Sequence, residues 1–61
     1  MKYRLKVQFF SPDHIPTAIG EFTVEEETIT RAILKEIDDL ENRGYNRNYF
    51  IITFIGEENE I

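Results

Sequence analysis

The chain has 61 residues, no cysteine and a net charge of -5 from 12 acidic and 7 basic side chains. That length holds one domain, the missing thiols exclude a disulfide framework and any thiolate metal site, and the acidic balance disfavours general binding to phosphate. A hydrophobic fraction of 41%, with 5 Phe and 3 Tyr, is that of a folded protein, and oligomerisation is the remaining way for so small a domain to add core.

From Lys2 to Phe9 the residues alternate strictly. Tyr3, Leu5, Val7 and Phe9 share one face and Lys2, Arg4, Lys6 and Gln8 the other, the pattern of a half-buried strand. Ser11-Pro12-Asp13-His14-Ile15-Pro16 reads as a loop, because proline presets φ for a turn and Asp13 can bond nearby amides. Alternation resumes from Thr17 to Glu26, with Ala18, Gly20, Phe22 and Val24 inward and Ile19, Glu21, Thr23 and Glu25 outward. An antiparallel hairpin whose paired positions sum to 27 sets Leu5 opposite Phe22, Tyr3 opposite Val24, Lys6 opposite Glu21 and Lys2 opposite Glu25. A slip by one residue would spoil the apolar and the charged matches together.

Thr28 is the expected N-cap of a helix, with Glu25-Glu26-Glu27 suited to its positive end. Ile29, Ile33, Ile37 and Leu40, with Ala32 beside them, form its apolar stripe, and Glu27 to Arg31 and Asp39 to Arg43 make supporting pairs. Gly44 supplies a left-handed C-terminal cap. Asn48 to Ile55 is rich in β-branched and aromatic residues and reads as a third strand, with Phe50, Ile52 and Phe54 on one face and Tyr49, Ile51, Thr53 and Ile55 on the other. The expected division is a domain over 1–56 and an acidic, solvated tail over 57–61. The predicted core is Leu5, Val7, Phe22, Val24, Ile33, Ile37, Leu40, Phe50, Ile52 and Phe54.

The fold class is therefore α+β, a ββαβ chain with one helix on one face of a three-stranded, mainly antiparallel sheet of order 2-1-3. A right-handed crossover returns the third strand parallel to the second; it can lie beside the first strand, antiparallel to it, or beside the second, and the order 2-1-3 is favoured because it sets the crossover helix over the inner face. In order of connection alone this resembles the start of a ubiquitin-like β-grasp, whose closing strands the chain lacks; no family follows from it.

Chemistry is sparse. Ser11, Asp13 and His14 lie too close in one proline-bounded loop to converge as a catalytic triad, and they read more simply as turn residues. Glu25-Glu26-Glu27, Asp38-Asp39 and Glu57-Glu58 lack the loop spacing of a calcium site, and Gly20, Gly44 and Gly56 match no nucleotide fingerprint. No enzyme, cofactor, metal or small-molecule substrate is expected. No apolar run reaches signal-peptide length or the ~20 residues of a membrane span, so the expectation is a cytoplasmic location with no membrane partner.

The helix can cover one face of the sheet only. On the other face Phe10, Ile19, Tyr49, Ile51 and Ile55 form an apolar set, the expected interface of a non-catalytic protein-interaction module that self-associates, as a homodimer, or binds another protein. The alternative is a nucleic-acid platform of Lys2, Arg4, Lys6, Tyr45, Arg47 and Tyr49, against which Glu21 and Glu25 stand opposite Lys6 and Lys2. A further reading has Glu36, Asp38, Asp39, Glu41 and the acidic tail engage a basic protein surface, as an inhibitor would. Tiny acidic chains without cysteine are often phage or mobile-element accessory factors, an association and not a physical argument.

Overall fold

Alternation along the first 25 residues folds back on itself as a hairpin. The computed structural model describes residues 1–58 and shows β1 (Lys2–Phe10) antiparallel to β2 (Pro16–Glu25), with Leu5 opposite Phe22, Tyr3 opposite Val24, Lys6 opposite Glu21 and Lys2 opposite Glu25. This is the register in which positions sum to 27. It holds to Phe9 opposite Ala18 and then shifts, so that Phe10 meets Pro16 and Thr17 is the extra residue. The connecting loop is closed by its own backbone: His14 N–H donates to the Ser11 carbonyl at 2.8 Å and Ser11 N–H to that of Ile15 at 2.9 Å. His14 takes a φ of 61°, the left-handed region that histidine tolerates better than most side chains.

Thr28 caps the single helix, α1 (Ile29–Asn42): its Oγ1 accepts from the Arg31 N–H at 3.1 Å, an interaction worth about 1 kcal/mol. Arg31 also reaches Glu27 at 3.3 Å; among the described residues the Asp39 to Arg43 side-chain pair does not form. At the other end Gly44 N–H donates to the Glu41 carbonyl and Tyr45 N–H to that of Leu40, with Gly44 at φ 95°. This is the Schellman closure, and it turns the chain back toward the sheet. A short 3-10 helix (Arg47–Tyr49) follows, capped by the Asn46 side chain, which accepts from Asn48 N–H at 2.8 Å. Asn48 and Tyr49 thus precede β3 (Phe50–Glu58) instead of opening it.

β3 pairs antiparallel with β1, giving the sheet order β2-β1-β3. Phe9 faces Phe50, Val7 faces Ile52 and Leu5 faces Phe54; then Arg4 faces Gly56, so Ile55 is a bulge. Beyond it the faces exchange parity, with Glu57 opposite Tyr3 and Glu58 opposite Lys2. Strand pairing therefore continues through the first two acidic residues after Gly56, and the rest of the tail lies outside the described residues.

The core forms two clusters beneath the helix. Tyr3, Leu5, Val24 and Ala32 make one, flanked by Ile33 and Ile52, and Val7, Leu40 and Phe50 the other, flanked by Phe9, Phe22, Ile37 and Ile52. Five of the ten expected core residues are less than fully buried. The buried line of the helix is Ala32, Glu36 and Leu40, rotated by roughly 60° from the isoleucine stripe at 100° per residue, because small Ala32 lets the backbone approach the sheet. Ile33 and Ile37 are accordingly half-buried on the flank, as are Phe22 and Ile52. Phe54, expected inside, is 40% exposed, because the helix lies over β2 and β1 and leaves β3 less covered.

Candidate protein interface

On the face away from the helix, the two ladders arrange side chains in cross-strand rows. Ile19, Gln8 and Ile51 form the three-strand row nearest the hairpin loop, beyond which only Phe10 meets Pro16, followed by Glu21, Lys6 and Thr53, then Thr23, Arg4 and Gly56, then Glu25, Lys2 and Glu58. The face is apolar at one end and a chequer of opposite charges at the other. In the apolar row Ile19 is 62% and Ile51 58% exposed. Gln8 lies between them with its amide turned to the backbone, donating to the carbonyls of Ala18 at 2.9 Å and Phe9 at 3.0 Å. Both donors of its amide nitrogen are thereby occupied, and its stem lies between the two isoleucines.

Phe10 continues the outward register of β1 and is half-buried, while Tyr49, also half-buried, lies with its ring centroid 5.9 Å from that of His14. The fifth expected interface residue is set apart: Ile55 is 43% exposed, but it is the bulge and stands four residues along β3 from Ile51, roughly 13 Å at strand rise. Phe54, on the opposite face, is the apolar residue of β3 that sequence periodicity assigns to the core and the structure leaves partly open.

The residues of the basic and aromatic platform do not share one surface. Tyr45 stacks against Phe9 with centroids 4.9 Å apart, and Phe9 packs on the helix side of the sheet. Arg47 is held in a bidentate pair by Glu41, at 2.7 and 3.1 Å, which keeps the Glu41 carboxyl below the usual carboxylate range. Arg4 donates to Glu21 at 3.0 Å, and Lys6 and Lys2 stand opposite Glu21 and Glu25. Lys2, Arg4 and Lys6 do line one face, but acidic partners flank them there, so little positive potential is left to attract phosphate.

Of the acidic helix residues, Glu36 faces inward and is only 6% exposed. Its pKa is raised, first by burial and then by the neighbouring Asp39, with Arg43 opposing. No side-chain oxygen among the described residues is both buried and unpartnered, so the Glu36 stem lies in the packing with its carboxylate at the rim. It therefore does not belong with Asp38 and Asp39 on an outward acidic surface. Ser11 Oγ accepts from the Ile15 N–H at 3.3 Å, a loop-closing role. Among the described residues no group of three or more His, Asp or Glu is placed to hold a metal ion, and no helix is long and apolar enough to cross a membrane.

No protein-family model matches the chain, and neither the curated proteins nor the solved structures contain a significant match.

Proposed function

We propose that this domain works by binding protein, through the apolar end of its outer sheet face and the adjoining β3 strand, and not by catalysis. The observation that carries this reading is the row Ile19, Gln8, Ile51, two exposed isoleucines on either side of a glutamine whose amide nitrogen is already bonded to backbone carbonyls. Branched apolar groups side by side on a flat sheet gain roughly 25 cal/mol for each Å² removed from water, and a binding partner can remove them. The neighbouring rows are charged and internally matched, which favours a wet rim around a dry centre.

A photoreactive residue replacing Ile51, compared with one replacing Thr23 at the polar end of the same face, tests the reading in cells expressing the protein. Covalent protein adducts are expected at position 51 and not at 23. Equal yields at the two positions, or none at either, would refute the proposed surface.

A further inference from the structure

β3 has the composition of an interior strand and stands at the edge of the sheet. Its run Phe50-Ile51-Ile52-Thr53-Phe54-Ile55 is apolar on both faces apart from Thr53, the pattern of a strand covered from both sides. Yet Ile51 and Ile55 are exposed on one side, Phe54 on the other, and among the described residues no strand pairs with the outer edge. The opposite edge is managed differently: β2 alternates, opens on Pro16 and carries Glu21 and Glu25, devices that discourage strand addition. An added strand would give β3 backbone partners and side-chain neighbours on both faces at once. A helix or loop laid on either face would supply only part of that.

We infer that the added strand is β3 of a second copy of this chain, paired antiparallel across a two-fold axis at Ile52. The inference rests on the reading of this region as a protein interface, and it names the partner. Two edge strands related by such an axis, perpendicular to the sheet, must run antiparallel and keep each face on its own side, so inward residues meet inward residues. Centred on Ile52, the strand complements itself. Phe50 comes opposite Phe54 of the partner subunit, Ile51 opposite the partner's Thr53, and Ile52 opposite its own equivalent. The half-open Phe54 ring gains an aromatic neighbour, and Tyr49 falls alongside the partner's Ile55. Centring on Ile51 instead would carry Phe54 past the end of the partner strand into its 3-10 turn. Centring on Thr53 would set Phe50 against a glycine.

Charge points the same way. Glu57 and Glu58 close β3. Antiparallel pairing separates the two acidic ends by the length of the junction, whereas a parallel arrangement would set acid beside acid. The product is a continuous sheet of twice the width, closed by symmetry against further growth through this edge.

Sedimentation equilibrium from micromolar to millimolar protein, with two double variants, tests the partner and the register. The wild type is expected to show a reversible monomer–dimer equilibrium. Ile51→Lys with Thr53→Lys places like charges directly opposite across the axis, twice, and should weaken the dimer at least tenfold. Ile51→Lys with Thr53→Glu places opposite charges there and should associate at least tenfold more tightly than the double-lysine variant, the difference shrinking with salt. Both positions are exposed on the outer face, so circular dichroism should show the fold retained. Should either variant fail to fold, wild-type amide exchange over Phe50–Phe54 gives the second measurement, with protection that rises with protein concentration. A wild type that is monomeric throughout overturns self-pairing. A dimer indifferent to the two charge patterns, or exchange independent of concentration, overturns the β3 junction. Adducts at position 51 to a different protein, together with a monomeric wild type, would remove the second copy while leaving the interface reading in place. A monomer without adducts removes both.

Discussion

Gly20→Ala tests the packing of the hairpin against the helix. Gly20 stands opposite Val7 on the inner face, and a Cβ built there would meet Phe22 Cε2 at 2.9 Å and Cζ at 3.0 Å. Carbon atoms in good contact sit about 3.5–4.0 Å apart, so the ring must retreat by roughly 0.5–1 Å from the Val7, Leu40 and Phe50 cluster on which it packs. Overpacking of this kind costs about 1–3 kcal/mol, and loss of glycine's unfolded-state freedom returns about 0.5–1 kcal/mol, leaving a net loss of about 0–2.5 kcal/mol. In a Phe22→Leu background the ring is gone, and Gly20→Ala should be neutral or stabilising. The two substitutions should therefore couple by about 1–3 kcal/mol in a double-mutant cycle. Urea denaturation followed by circular dichroism reads this, at one fixed protein concentration and with added sucrose, since a domain this small is expected to hold only about 3–5 kcal/mol. Additive effects, or a stabilising Gly20→Ala in the wild type, would show that the Phe22 ring does not cover Gly20.

The helix rotation predicts a rank order: Leu40→Ala should cost about 2–4 kcal/mol, half-buried Ile33→Ala about 1–2 kcal/mol, and exposed Leu34→Ala less than about 0.5 kcal/mol, measured in the same assay. Glu36 binds its proton more tightly folded than unfolded, so its contribution favours the fold at low pH and stability falls as pH rises from the ordinary glutamate value through the raised one. Glu36→Gln should flatten that part of the pH profile and raise the melting temperature at pH 7. For Glu41 the sign reverses: Arg47 lowers its pKa, so the contribution is present above the ordinary value and lost as pH falls through the lowered one. Arg47→Ala should return the Glu41 titration, followed by NMR, to the ordinary range.

Alternation made the hairpin register readable, because Lys6 with Glu21 and Lys2 with Glu25 coincide with Leu5 against Phe22 only at one offset. Thr28 and Gly44 marked the helix ends through local chemistry that needs no tertiary context. The helix rotation was not readable in the same way. An alanine between isoleucines gives a weak periodic signal, yet its small size decides how closely the helix sits on the sheet. The bulge at Ile55 has no compositional mark, since any residue can be the extra one. Tyr45 illustrates the same limit for the site: the platform reading set it on one surface with Arg47, and the Schellman turn sends it to Phe9 on the other side. By contrast, exposure of Ile19 and Ile51 followed directly from counting faces against a single helix.

The central strand has a consequence for the timing of folding. Among the described residues every ladder runs through β1, which is made before both of its neighbours, while one of them, β3, follows only after the helix. During synthesis β1 can close its hairpin and the helix can begin to cover it, but the side that receives Phe50, Ile52 and Phe54 stays open until β3 has left the ribosome. Pairs such as Leu5 with Phe54 make the final step one of long loop closure, and such contacts slow folding relative to a helical protein of equal length. A chain stalled before residue 50 would therefore display an unpaired edge of β1 beside Leu5 and Val7, a species for chaperones or proteases to recognise before the last strand arrives.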